Sequence, residues 1–313
     1  MKKTDKTFLA GHRGLVGSAI HKRLLAGGYE NVIVRTRSEL DLQDQKAVYD
    51  FYSEEKPDAV ILAAAKVGGI HANRTYPADF IGENLVIQNN VIWGAHLADV
   101  PQLQFLGSSC IYPRETTQPI PENALLTGKP EPTNAPYAIA KIAGLYLCDS
   151  IQRQFGRNYF TVMPPNAYGD RDNYDLQTSH VLPALVRKFH EALPTRPVTC
   201  WGTGTPRREF LHSDDIADAC VFLLEQERVS GHVNVGTGSS VSIRELAETI
   251  QRIVGHQGEI LWDTSMPDGF PEKTMDVAKL FGMGWRPKIS LEQGITSAYR
   301  WFLENRVLAE KSR

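Results

Sequence analysis

The sequence predicts an α/β protein: a Rossmann-type, doubly wound parallel sheet followed by a smaller mixed α/β lobe. Three observations carry that expectation. A glycine turn lies between a short apolar strand and a helical pattern at the start of the chain. Strand-like runs and amphipathic helical patterns then alternate, as they do when helices cover a parallel sheet. Finally, Tyr137 and Lys141 form a Tyr-x-x-x-Lys pair downstream of Ser108, which stands just past a strand.

Thr7-Phe8-Leu9-Ala10 reads as a buried strand, and Gly11-His12-Arg13-Gly14-Leu15-Val16-Gly17 follows it, with helical spacing from Ser18 to Leu25. The spacing is G-x-x-G-x-x-G. Such glycines permit a tight turn, let backbone N–H groups approach a pyrophosphate, and let the helix close on the sheet. Its strand–turn–helix context makes a dinucleotide site the better reading than a bland glycine-rich loop. The second strand, Asn31 to Val34, ends in Arg35-Thr36-Arg37. An NAD-preferring site has an acidic residue there for the ribose 2′-hydroxyl. Two guanidiniums and a hydroxyl suit a 2′-phosphate instead, with Arg13 placed to help, so the expected cofactor is NADPH/NADP+.

Asp44 to Ser53 can form a helix, Ala59 to Ala65 is a fully apolar strand, and Ala78 to Val100 has a long helical pattern. Leu103 to Leu106 is the next strand, delivering Ser108 and Cys110 past its carboxyl end. Tyr137 to Phe155 reads as a helix and Tyr159 to Met163 as a strand. Ligands of such sheets bind outside the carboxyl ends of the strands. The glycine turn, Ala64-Ala65-Lys66, Ser108 and Asn166 converge there. Past Gly169 the pattern becomes polar and turn-rich. Ser213 is the expected cap of a helix from Asp214 to Gln226, His232 to Val235 reads as a strand, and Ser242-x-x-Glu245 is a capping box opening a helix to Val254. The expected division is a dinucleotide-binding domain over 1–170 and a substrate lobe over 171–313, with part of 209–238 returning to the first sheet.

Composition narrows the function. Hydrophobic residues make up 42% of the 313, enough for a sizeable core, and the net charge of −2 carries no polybasic footprint for nucleic acid or an anionic membrane. No run approaches the ~20 apolar residues of a membrane span, and the first apolar run is too short for a signal-peptide core. Four cysteines (Cys110, Cys148, Cys200 and Cys220) lack C-x-x-C spacing, which points to reduced thiols and a cytoplasmic setting. No cluster points to a metal; His190-Glu191 lacks the second histidine of a zinc motif.

Residues four apart share a helix face, so Lys141 is expected beside Tyr137, where an ammonium would favour the phenolate and lower the phenol's pKa. Ser108 would add a second hydrogen bond to a substrate carbonyl. That trio suits carbonyl–alcohol redox chemistry.

The chain resembles the extended short-chain dehydrogenase/reductases, and among them the enzymes that act on GDP-4-keto-6-deoxy-D-mannose. The motifs that carry the resemblance span nearly the whole sequence: Ala10 to Gly17, Ala63-Ala-Ala-Lys-Val-Gly-Gly-Ile70, Leu106-Gly-Ser-Ser-Cys-Ile-Tyr-Pro113, Glu131 to Lys141, Ser179-His-Val-Leu-Pro-Ala184, Trp201 to Leu211, and Pro267-Asp-Gly269. Similar enzymes read Pro-Thr-Asn-Leu-Tyr-Gly-Pro where this chain has Pro164 to Asp170, so Pro165, Ala167 and Asp170 depart from the pattern. The resemblance implies inversion at C3 and C5 of a 4-keto sugar followed by reduction of C4. It implies that Cys110 removes protons and His180 returns them from the opposite face, that Ser108 and Tyr137 bind the enolate oxygen, and that Lys141 holds nicotinamide-ribose hydroxyls. It further implies cofactor contacts from Gly11, His12, Arg13, Gly14, Leu15, Val16, Gly17, Arg35, Arg37, Asp41, Leu42, Ala64, Ala65, Pro164, Asn166, Ala167 and His180. Lys188, Trp201, Arg208 and Asp268 would bind the nucleotide sugar, and the enzyme would be a homodimer paired through its long helices.

Other readings share much of this pattern. A nucleotide-sugar 4,6-dehydratase or 4-epimerase would have the same fold and Tyr-x-x-x-Lys pair, but dehydratases carry acidic residues where Ser109-Cys110 stands. A simple 4-reductase has no need of both Cys110 and His180. A non-catalytic dinucleotide sensor need not keep Ser108, Tyr137 and Lys141.

Overall fold

The computed structural model describes residues 1–266 and 268–305; Pro267 of the Pro-Asp-Gly motif and the last eight residues of the expected substrate lobe lie outside the described residues. Strands β1 (Thr7–Ala10), β2 (Val32–Val34), β3 (Ala59–Leu62), β4 (Gln102–Leu106) and β5 (Asn158–Met163) alternate with helices α1 (Leu15–Ala26), α2 (Gln45–Glu55), α3 (Ile70–Thr75), α4 (Pro77–Leu97) and α5 (Ala135–Phe155). Then follow β6 (Asn166–Tyr168), α6 (Val181–Glu191), β7 (Val198–Trp201), β8 (Arg207–Arg208), β9 (Phe210–His212), α7 (Ser213–Glu225) and β10 (His232–Asn234). The chain ends in β11 (Val241–Ser242), α8 (Ile243–Val254), β12 (Ile260–Asp263), β13 (Glu272–Lys273), α9 (Ala278–Gly282) and α10 (Leu291–Glu304).

Six strands form one parallel sheet in the order β10-β5-β4-β3-β1-β2. Alternation along a strand sends neighbouring side chains to opposite faces. Leu9 and Ile61 therefore pack with Ile20 and Leu24 of α1 and Ile216 and Leu223 of α7, while Phe8 and Val60 pack with Val48 of α2, Val91 of α4 and Ile151 of α5. Both faces are covered, which is why β2 and β3 read as unbroken apolar runs, while β4 buries Gln102 and Gln104 by donating their amides to Leu224 O and Cys220 O. Each fully buried Leu, Ile or Phe contributes roughly 1.5–3 kcal/mol. The remaining chain packs α6, α8 and α10 over small strand pairs, around Leu182, Phe189, Leu246 and Phe302. There β8 lies between β11 and β13, β12 pairs with β7, and β6 pairs with β9.

Two local expectations change. The helix at 213 is capped by His212, not Ser213: His212 is extended and its Nδ1 accepts from Asp214 N at 3.2 Å, while Ser213 is already helical. The third strand ends at Leu62, with one further ladder bond from Ala63 N to Ala10 O at 2.9 Å before Ala64 meets the glycine turn. The capping box at Ser242 and Glu245 is present as expected.

Glu209 joins the two regions. It is 1% exposed and sits between β8 and β9. Its Oε1 accepts from Thr237 N at 2.6 Å, Gly238 N at 2.9 Å and Thr237 Oγ1 at 3.2 Å, and its Oε2 accepts from Met275 N at 2.8 Å. A Cβ on Gly236 would stand 2.3 Å from Oε1, so only glycine admits the carboxylate there. Glu209→Gln turns one acceptor into a donor facing an N–H. The expected loss is about 2 kcal/mol, the cost of one orphaned buried N–H, read as a fall of a few degrees in the thermal midpoint. An unchanged midpoint contradicts this role.

Candidate active site

The glycine turn closes on the sheet through contacts that tolerate no side chain. Gly11 has φ +93°, and a Cβ there would lie 2.6 Å from Ala64 N; a Cβ on Gly17 would lie 2.1 Å from Gly11 O. The turn therefore lies against Ala64, beside Ala65. Gly14 precedes α1 without a side-chain cap, and the first turn of α1 carries no acid. Its N–H donors and the positive end of the helix dipole are thus available to a pyrophosphate. His12 has a buried Nδ1 with no hydrogen-bond partner, and its pKa is lowered by burial, then by His21 and Arg13. Arg13 is exposed at the same turn.

Arg35 differs from expectation. Its guanidinium bonds Glu55 at 2.6 Å and Val34 O at 3.0 Å and lies over the Phe51 ring. Its charge is largely compensated within the protein. Arg37 is 74% exposed and holds Asp41 only at 3.6 Å, so it is the guanidinium open to a 2′-phosphate. Asp41 also accepts from Gln43 N at 3.0 Å, and Leu42 packs partly buried against the core beside it.

On the other side of the sheet edge, β4 delivers Ser108 and Cys110. The turn is pinned by Ser109 N donating to Pro164 O at 3.1 Å, and by Gly107, where a Cβ would strike Met163 Sδ at 2.5 Å. Asn166 donates its amide to Glu209 O at 2.8 Å, and Ala167 packs against the core. Of the three departures from the related motif, Asp170 is half-buried near Lys22, Asp214 and His212, and burial raises its pKa.

Ser108 Oγ accepts from Cys110 N at 3.2 Å and lies near enough to the Tyr137 phenol to oppose the rise in its pKa. Lys141 is buried, donates to Leu106 O at 2.8 Å and lies 4.6 Å from the Phe105 ring and 5.8 Å from the Tyr137 ring. Here the expected electrostatics are corrected. Burial pulls Lys141 down to about 7 and pushes Tyr137 up, with the Cys110 charge adding to the rise and the Ser108 hydrogen bond opposing it. Desolvation outweighs the lysine's field at that distance, so Tyr137 is held as an O–H donor. That is the state a proton donor needs.

The His180 segment is brought in by the second glycine motif. Gly69 N donates to Thr178 O at 2.9 Å, and a Cβ on Gly69 would lie 2.5 Å from Ser179 O. His180 precedes α6 with its side chain free of any capping bond. Its surface is exposed, although the protein atoms around the ring still desolvate it. Desolvation, then the Lys273 ammonium, lower its pKa below 6.5. Lys273 Nζ also lies 3.5 Å from Cys110 Sγ. Thiol and imidazole therefore flank one lysine.

The expected substrate residues lie on α6, at the end of β7, on β8 and in the segment before β13. Lys188 Nζ bonds Thr199 O at 3.2 Å and lies 5.6 Å from the ring of Trp201, which is 55% exposed. Arg208 is held by Phe270 O at 2.6 Å and Arg207 O at 2.8 Å, and burial lowers its pKa to about 10. Asp268 clamps the loop instead of facing it: Oδ1 accepts from Thr203 N at 2.7 Å and Oδ2 from Thr203 Oγ1 at 2.9 Å. Lys273 and Glu209 were not singled out in the sequence. Both lie beside or within two-residue strands, too short for any periodic signal.

Residues 7–236 match the model of the NAD dependent epimerase/dehydratase family. The chain is 57% identical over 307 residues to a putative GDP-L-fucose synthase 2 of Arabidopsis thaliana, covering 97% of this chain and 94% of that one. It is 53% identical over 312 residues to the GDP-L-fucose synthase of Escherichia coli K12, covering 96% and 97%. A crystal structure of a GDP-L-fucose synthetase from Naegleria fowleri bound to NADP superposes with a TM-score of 0.89 at 26% identity, covering 99% and 98%. The chain belongs to the NAD dependent epimerase/dehydratase family and, within it, to the GDP-L-fucose synthases.

Proposed function

We propose that this chain converts GDP-4-keto-6-deoxy-D-mannose to GDP-L-fucose with NADPH, inverting C3 and C5 and then reducing C4. The observation that carries this reading is a partly exposed thiol 3.5 Å from Lys273, whose ammonium also acts on the His180 imidazole, next to the Ser108 and Tyr137 pair. A reductase alone has no use for that thiol and imidazole together.

The C4 ketone makes the protons on C3 and C5 acidic. Cys110 takes each proton, the electron pair moves to the C4 oxygen, and Ser108 and Tyr137 donate hydrogen bonds to the enolate as it forms. His180, with its pKa near or below neutrality, returns a proton from the opposite face. NADPH, when bound, supplies hydride to C4. Tyr137 gives its phenolic proton to the C4 oxygen, a role suited to a phenol held protonated by burial. The cradle of Gly11, Gly14 and Gly17 fits the cofactor pyrophosphate, Lys141 the nicotinamide ribose, and Arg37 with Arg13 the 2′-phosphate. Arg208 and Lys188 carry the charge for a diphosphate, and Trp201 offers an exposed ring as a platform. Four free cysteines support a reducing, cytoplasmic setting; among the described residues, no helix is long and apolar enough to cross a membrane.

Helices α4 and α5 pack side by side and leave Leu85, Val86, Ile139 and Tyr146 exposed. Such a patch supports a homodimer built on a four-helix contact. Light scattering at micromolar concentration should give twice the 34.9 kDa chain mass; a monomer rules the pairing out.

Catalytic efficiency should favour NADPH over NADH, and Arg37→Asp should cut that preference by roughly tenfold or more. Equal efficiency with both cofactors in the unmodified enzyme defeats the assignment.

The two chemistries should separate in two variants. Cys110→Ser should nearly abolish solvent deuterium uptake at C3 and C5, since a hydroxyl is a far poorer base than a thiol. Tyr137→Phe should keep part of that exchange, because Ser108 still binds the enolate, while NADPH oxidation collapses. Unimpaired exchange in Cys110→Ser means another group is the base.

A further inference from the structure

Lys273 is buried, at 8% exposure, and among the described residues no carboxylate pairs with its ammonium. A buried cation without a counter-charge is costly. What lies against it is Cys110 Sγ at 3.5 Å, with the Phe270 ring 5.6 Å away. The placement comes from strand pairing. β13 runs parallel to β8 with Lys273 opposite Arg208, and partners in register project from the same face. Arg208 is occupied by the carbonyls of Arg207, Phe270 and Asp268. Lys273 is left to face the thiol.

We propose that Lys273 is a positioning residue for epimerisation: its ammonium holds Cys110 as the thiolate and aims the sulfur into the cleft. The proposal rests on Cys110 being the base. It gives β13 a task in proton abstraction, separate from binding the nucleotide. The thiolate takes the C3 or C5 proton and becomes a thiol, the electron pair moves to the C4 oxygen, and loss of that proton restores the Cys110–Lys273 pair. The other ionisable groups that feel the Cys110 charge are Tyr137 from α5 and Arg208 from β8; His180 feels the Lys273 ammonium, and Glu131 acts on Arg208. Arg208 is also cationic, but its guanidinium is taken up by backbone carbonyls, whereas the Lys273 ammonium lies 3.5 Å from the sulfur.

The test uses substrate-free enzyme. Cys148, Cys200 and Cys220 are buried, so alkylation by iodoacetamide, located by mass spectrometry, reports on Cys110. Lys273→Met keeps the length of the side chain and removes its charge. At pH 7 it should slow Cys110 alkylation by roughly tenfold or more, because an opposite charge within reach favours the ionised form. The deficit should shrink as pH rises and hydroxide removes the proton instead. Lys273→Arg should restore much of the rate. Deuterium uptake at C3 should fall by a similar factor in Lys273→Met, with NADPH affinity unchanged as the check on folding. Alkylation as fast in Lys273→Met as in the unmodified enzyme, with a raised substrate KM, overturns the proposal and assigns Lys273 to the diphosphate. Failure of the base assignment would appear separately, as undiminished exchange in Cys110→Ser.

Discussion

The buried carboxylate of Glu209 is the constraint on which the site depends. A charge this deep is stable only when its lone pairs are filled, and here the donors come from the turn after β10 and from the segment after β13. Its own backbone adds two ties. Glu209 N donates to Lys273 O at 3.2 Å, and Glu209 O accepts from Asn166 N at 3.2 Å. One residue thus sets the edge of the central sheet against the strands that carry Arg208 and Lys273. Burial works against this carboxylate by raising its pKa, and the four donors work to keep it ionised.

The same trade between desolvation and pairing organises the chemistry. Tyr137, Lys141, His180 and Arg208 are all displaced by burial toward their neutral forms. A cleft of neutral or weakly held charges is suited to moving protons, because none is locked in a strong ion pair. Tyr137 is kept as a donor, His180 is kept near its neutral form, and Lys273 places a positive charge 3.5 Å from the thiol. The thiol, the phenol and the imidazole come from separate parts of the fold. β4 carries the thiol, α5 the phenol, and the Gly69–Thr178 contact brings in the imidazole.

Much of the fold was legible because the first domain obeys local rules. The run Thr7 to Ala10 and the apolar strand β3 read directly as buried strands, and the glycine turn marked the passage from the first strand to its helix. The box at Ser242 and Glu245 marked a helix start by its own hydrogen-bonding logic. What stayed illegible depended on long-range contacts. Lys273 lies 163 positions from Cys110, and its two-residue strand has no period to detect. Arg35 looked available for phosphate, but Glu55, 20 positions on, takes its guanidinium. The pKa of Tyr137 was read from its helical neighbour, yet burial decided its direction. Helical spacing told which side chains lie near each other and not how much water surrounds them.

The central claim is that one cleft performs both inversion and reduction. The most direct measurement is the product formed from GDP-4-keto-6-deoxy-D-mannose and NADPH in heavy water, analysed by NMR. The expected product is GDP-L-fucose carrying solvent deuterium at C3 and C5, with one NADPH oxidised per product. A 6-deoxy sugar of D configuration, reduced at C4 and free of deuterium at C3 and C5, would contradict it and leave a reductase alone.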